Sequence, residues 1–249
     1  EMHITMAERW LLQLNLSSEK HLACGPALPQ HQQSLISVLQ RANANQSNKE
    51  AIAKRIYHGC SGKHCCQLAF CKHKGWDIDS YYEPQHPAQQ ALFSHLESLS
   101  DKPLEKIAID GCSLPAPAMT LIGFAGAMAQ LASPQKLSQS EQKAASQIFE
   151  SVTKFPFLTG GTSAPNSVMT DKSAGRFFVK NGSEGVYACI IPEAHCSIVL
   201  KMADGAMRAA DTAMAGIINA YETELKIEAS GAKHFAELSM KNAAGDEIG

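Results

Sequence analysis

Residues 176–205 read "RFFVKNGSEGVYACIIPEAHCSIVLKMADG". Three β-rich runs, "RFFVKNG", "GVYACIIP" and "CSIVLKMADG", are separated by turn residues and predict three short strands. Connections this short make the strands antiparallel neighbours. Helical patterns stand on both sides of this meander, in "HPAQQALFSHLESL" and "SQSEQKAASQIFESV" before it and "AMRAADTAMAGIINAYETEL" after it. An antiparallel sheet packed with helices, a mixed α/β layer fold, is the architecture this order implies.

Working outward, "TMAERWLLQL" places Trp10, Leu11 and Leu14 at helical spacing, and "CGPALPQHQQ" is a loop before a helix around "SLISVLQRA". Asn, Gln and Ser crowd positions 43–48 and mark another loop. A helix is expected through "KHCCQLAFCKHKG", ending at Gly75, with Lys63, Gln67 and Cys71 on one face. Pro87 suits the first turn of the next helix. "KIAIDGC" reads as a short strand with a turn at Asp110-Gly111. The apolar run from Ala116, "APAMTLIGFAGAMA", reads as a buried helix stopping before Pro134, and Ser140 is a candidate cap for the helix after it. "LTGGTSAPNS" reads as a loop, and "HFAELSMKNAAGDEIG" as a last hairpin.

The chain has 249 residues, enough for a sizeable core, with 45% hydrophobic and 18% charged residues, as in an ordinary globular protein. A formal net charge of −2 gives no basis for electrostatic capture of nucleic acid or an anionic membrane. The longest apolar run is shorter than the roughly 20 residues a spanning helix needs. "EMHITMAERW" lacks the basic start and apolar stretch of a signal peptide. Eight cysteines in a chain of this size, without a secretory segment, read as reduced thiols in a cytoplasmic protein.

Positions 59–66, "GCSGKHCC", put Cys60, Lys63, His64 and the pair Cys65-Cys66 in one glycine-flanked stretch. A metal site, a reactive thiol and an ordinary helix start all fit. Zinc takes Cys, His or carboxylate ligands, and Lys is a rare one because its amine must first lose a proton. Taken alone, Lys63 and His64 are best read as an exposed first helical turn. Cys65 and Cys66 read as small buried residues, Cys24 as structural, and Cys71, Cys189 and Cys196 as packing. Lys180, alone, is an exposed strand lysine.

"CSGKH", "IDGCSLPAPA" and "FFVKNGSEGVYA", in that order, resemble the motif set of the rhizobial-type (class 3) L-asparaginases, the asparaginase II family. "LACGPALP", "YYEPQHPAQQ" and "IVLKMADGAMRA" extend the resemblance along essentially the whole chain. It implies a fold like that of serine β-lactamases and penicillin-binding proteins, in one domain over 1–249 with a helical portion 1–174 and C-terminal strands and helix 175–249. It further implies hydrolysis of L-asparagine to L-aspartate and ammonia by a cytoplasmic homodimer.

Carried over residue by residue, the resemblance makes Cys60, Lys63 and Cys112 zinc ligands, with water completing a tetrahedral shell. His64 and Asp110 adjoin them and would bind substrate or order the metal's surroundings. Lys180 is the catalytic lysine that accepts a proton from a serine, and Gly182 beside it permits close substrate approach. The family's two catalytic serines match positions upstream of Glu1, and Ser17-x-x-Lys20 lies after the expected region and is set aside. The chain alone is therefore expected to be inactive or nearly so. Glutamine hydrolysis and a non-catalytic zinc- or thiol-binding role are the alternatives.

Overall fold

The structure is a computed structural model describing residues 2–44, 52–227, 230–237 and 239–248. Its contacts group into two compact units, residues 1–98 with 103–119, and residues 99–102 with 120–249.

The first unit contains helices α1 (Met2–Gln13), α2 (Ser18–His21), α3 (Gln32–Ala44) and α4 (Ser61–Lys74), most of α5 (Pro87–Ser100), and a two-stranded antiparallel hairpin of β1 (Lys106–Ile109) and β2 (Pro115–Ala118). Leu11, Leu22, Cys24, Ile56, Leu68 and Cys112 belong to its core. The inward face of α4 is His64, Cys65, Leu68 and Cys71, the i, i+1, i+4, i+7 stripe of an amphipathic helix. Cys71 thus sits with Leu68 rather than with Lys63 and Gln67 as expected. Eight residues of helix accumulate about 80° of drift, which carries position 71 round into the core. The helix ends as expected at Gly75, whose φ of 69° takes the left-handed cap.

The apolar run from Ala116 is not one helix. Pro115 and Pro117 lack the N–H that a helix interior needs, and residues 115–118 pair instead as β2, with Ile107 opposite Pro117. Helix α6 (Leu121–Ala132) starts only after the Thr120 cap, whose side chain accepts the Gly123 N–H. The polar loop read at 43–48 falls mostly outside the described residues.

The second unit holds α6, α7 (Gln139–Lys154), α8 (Pro156–Gly160), α9 (Pro165–Lys172), a sheet of β3 (Phe178–Asn181), β4 (Val186–Ile191) and β5 (Cys196–Lys201), then α10 (Met207–Ala220) and α11 (Ser230–Ala236). The sheet order is β3-β4-β5 with antiparallel neighbours, as the three β-rich runs predict. Val179, Tyr187, Cys189 and Ile191 pack with Met214, Ala215 and Ile218 of α10. Phe178, Ala188 and Ile190 pack on the other side with Ala132 and the partly buried Phe149. Covered on both faces, the central strand "VYACII" is apolar throughout instead of alternating.

Three local expectations shift here. The cap of α7 is Ser138, not Ser140; it forms a capping box with Glu141 and so satisfies two backbone donors reciprocally. The stretch "LTGGTSAPNS" is partly helical: Pro156, just before it, and Pro165, within it, each open a helix, because proline suits a first turn where no N–H is needed. The final hairpin is only half present: His234 and Phe235 lie in α11, while the Lys241–Glu247 bridge closes a small turn. Among the described residues, no helix is long and apolar enough to cross a membrane.

Candidate metal centre and its surroundings

Cys60 is the N-cap residue of α4, and its side chain makes no capping hydrogen bond. Its N–H donates to His58 Nδ1 at 3.0 Å, and its carbonyl accepts from the His64 N–H at 3.1 Å, so the backbone is held while the thiol faces elsewhere. Cys112 lies in the β1–β2 turn. The Asp110 N–H donates to the Leu114 carbonyl at 2.8 Å and the Ser113 N–H to the Asp110 carbonyl at 2.8 Å, with Ser113 at φ 74°. These two local structures bring Cys60 Sγ, Cys112 Sγ and a carboxylate oxygen of Asp110 within 4.8 Å of one another.

Lys63 reaches the same cluster from the first turn of α4, with Nζ donating to Asp110 Oδ2 at 2.8 Å. The Cys112 thiol lies 3.5 Å from that oxygen. Burial alone would pull the Lys63 ammonium down, but Asp110 and the two thiols hold it above its usual range. The hydrogen bond from Lys63 holds the Asp110 carboxyl below its usual range. Burial pushes the Cys60 thiol up to about 11, and Cys112 beside it adds to the rise, against a lowering by Lys63. Burial thus favours the protonated thiol at Cys60, which a divalent cation beside it would reverse, while the Lys63 ion pair keeps the Asp110 carboxylate charged.

The donor set fits a zinc-type ion. Zinc–sulfur bonds of about 2.3 Å at tetrahedral angles place two sulfurs about 3.8 Å apart, so closure from a separation within 4.8 Å needs no more than about 1 Å of movement. The structure presents Asp110 as the third donor and Lys63 as its ion-pair partner. Lys63 would replace Asp110 only after losing its proton.

His64 is fully buried, with its Nδ1 2.5 Å from the Tyr81 hydroxyl and the rings edge-on at 5.6 Å. Burial pushes its pKa down to about 4, so the ring is neutral. The Tyr81 oxygen also accepts the Ala23 N–H at 2.9 Å, and the Tyr81 carbonyl accepts from Gln89 Nε2 at 2.8 Å. Tyr81 therefore pins His64, and with it the first turn of α4, to the loop at 22–24. That loop is held in turn by Arg55, whose Nη1 donates to the Leu22 and Cys24 carbonyls at 2.8 Å each. The motif reading did not single out Tyr81 or Arg55. Their only signals were "YYEPQHP", quoted for resemblance, and a lone arginine in "AKRIYHG".

Cys60, Lys63, His64, Asp110 and Cys112 thus come together within the first unit, while Lys180 lies on β3 in the second. Lys180 stands opposite Ala188, and its Nζ donates to the Asn181 carbonyl at 2.6 Å and to Asn181 Oδ1 at 3.2 Å. The turn after it demands glycine at 185 rather than at 182. A Cβ on Gly185, at φ 69°, would sit 2.7 Å from Met202 Cβ, whereas one on Gly182 would meet Val186 at an ordinary 3.5 Å. Of the extra thiols beside the cluster, Cys65 is buried and Cys66 is exposed.

A mixed α/β protein with a paired-thiol and carboxylate cluster is the class that fold and site define. The family model described as L-asparaginase II matches residues 1–249, and the chain belongs to that family. A search of curated proteins found no match. Family membership supports amidohydrolase-type chemistry on a small, asparagine-like substrate.

Proposed function

We propose that this protein hydrolyses L-asparagine to L-aspartate and ammonia by a Ser–Lys mechanism, with a zinc ion held by Cys60, Cys112 and either Lys63 or Asp110. The observation carrying this reading is the convergence of Cys60, Asp110 and Cys112, with Lys63 attached, in a chain of the L-asparaginase II family. When bound, the ion would supply a fixed positive charge able to orient a carboxylate or polarise an amide. His64, buried and neutral, acts as a positioning residue for the α4 turn, and Asp110 orients Lys63. Lys180 takes the hydroxyl proton of a serine nucleophile and returns it to the leaving ammonia; water then cleaves the resulting ester. A lysine followed at two positions by glycine, on an antiparallel strand backed by helices, is consistent with a serine β-lactamase-like arrangement of one domain, working as a cytoplasmic homodimer.

The test is ammonia release from L-asparagine and L-glutamine, with metal content measured on the same samples. Both this chain and a form extended upstream through a Ser-x-x-Lys segment are assayed. Lys180→Ala is expected to lower asparagine turnover at least about 100-fold, the contribution of a positioned general base, without reducing bound zinc. The cysteine cluster by itself also favours a non-catalytic zinc- or thiol-binding role. Stoichiometric zinc with no ammonia from either form would establish that role instead.

A further inference from the structure

Cys60 occupies the N-cap of α4, a 14-residue helix. That position ordinarily goes to Ser, Thr, Asp or Asn, whose side-chain oxygen turns back to accept an N–H of the first turn. A thiol is a weak acceptor, and the Cys60 side chain makes no such bond. A capping thiol would point along its own helix. Here Cys60 Sγ instead lies within 4.8 Å of Cys112 Sγ on another element.

His58 takes over the capping. Its carbonyl accepts the Ser61 N–H at 2.9 Å, and its ring Nδ1 accepts the Cys60 N–H at 3.0 Å. One residue thus satisfies two of the donors at the start of the helix. With a lone pair on Nδ1, the neutral ring carries its proton on Nε2. His58 is itself tied down, because its N–H donates to the Arg55 carbonyl at 3.1 Å and Arg55 Nη1 is anchored on the Leu22 and Cys24 carbonyls. Gln30 packs against the intervening Gly59, where a Cβ would come 3.2 Å from its Nε2. Cys60 is therefore fixed through its backbone, and its sulfur is left to the cluster.

We propose that His58 is the positioning residue for Cys60: by accepting the Cys60 N–H it relieves the thiol of capping and holds it toward Cys112 for metal capture. That the captured ion is zinc rests on the reading above; the positioning of the thiol rests on these hydrogen bonds.

The experiment compares the wild type with His58→Leu, which removes the acceptor, and His58→Asn, whose Oδ1 accepts the N–H two residues on in an Asx-turn. Two quantities are read on the full chain: the alkylation rate of Cys60 after metal is stripped by chelator, and zinc affinity by chelator competition. Cys196, half-buried in the second unit, is the internal control for an intact fold. His58→Leu should speed Cys60 alkylation about fivefold, the weight of one hydrogen bond, with Cys196 unchanged. It should also weaken zinc about 10-fold, the scale of an outer-shell partner. His58→Asn should restore both values. A lower urea midpoint for His58→Leu with Cys60 alkylation and zinc affinity unchanged would reduce His58 to a helix cap and overturn the proposal. His58→Asn as impaired as His58→Leu would overturn it too, since the acceptor would then not be what holds Cys60. A wild type that takes up no zinc, with the alkylation pattern as expected, would uphold the positioning and count against the zinc reading alone.

Discussion

Tyr81 shows how one side chain governs the candidate centre without touching it. Its hydroxyl meets both the Ala23 N–H and His64 Nδ1, and Tyr81 is itself 1% exposed. Tyr81→Phe keeps the ring and its packing but leaves a buried donor and a buried ring nitrogen without their partner. Such orphaned groups cost about 1–3 kcal/mol each. Urea denaturation is expected to show a loss of about 2 kcal/mol, and chelator competition a zinc affinity lowered by about 10-fold, the scale of an outer-shell partner. Unchanged zinc affinity with the stability loss intact would reduce Tyr81 to a purely structural residue.

At the scale of elements, the β3–β4 turn holds Lys180 in register. Glu184 and Gly185 adopt successive left-handed conformations, at φ 59° and 69°, and Gly185 has no room for a side chain. Gly185→Ala should therefore destabilise by about 2 kcal/mol or more, while Gly182→Ala should change stability by less than about 1 kcal/mol. Thermal melts of the two variants side by side check this. A second element contact carries a pH dependence. Tyr187 on β4 donates its hydroxyl to Asp211 Oδ1 on α10 at 2.6 Å, yet burial holds the Asp211 carboxyl above its usual range. A raised carboxyl pKa means that the fold favours the protonated form. The stabilising contribution is therefore complete below the ordinary aspartate pKa and is lost as pH rises through the folded value. Asp211→Asn keeps an acceptor for Tyr187 and removes that loss. Its stability should exceed that of the wild type at neutral pH and the difference should shrink on acidification, measured by urea melts across pH.

Across the whole molecule, cysteine accessibility offers a map of both units. Cys24, Cys65, Cys71, Cys112 and Cys189 are buried, Cys60 and Cys196 are half-buried, and Cys66 is exposed. Thiol labelling of the native protein should modify Cys66 first, Cys60 and Cys196 more slowly, and the buried five only on unfolding. Added zinc should protect Cys60 while leaving Cys66 and Cys196 unaffected; mass spectrometry of labelled peptides distinguishes these sites. Protection of Cys66 instead would place the metal on the wrong side of α4.

Much of the architecture was legible in the chain itself, because short-range rules act within a turn or a strand. The meander at 176–205, the Gly75 stop and the Pro87 start all follow from backbone chemistry that each residue carries with it. The same rules, weighed more strictly at Pro115 and Pro117, would have split the apolar run into strand and helix. Motif order alone identified the residues of the cluster. What the tertiary structure decided was their electrostatic state and their neighbours. Lys63 and Asp110 are 47 positions apart and Tyr81 stands 58 from Ala23, so no local pattern records that the lysine is held as an ammonium or that a tyrosine fixes the histidine. Local sequence sets conformation through sterics and hydrogen bonds of neighbouring residues; the charge state and shape of a site come from burial, which only the packed chain creates.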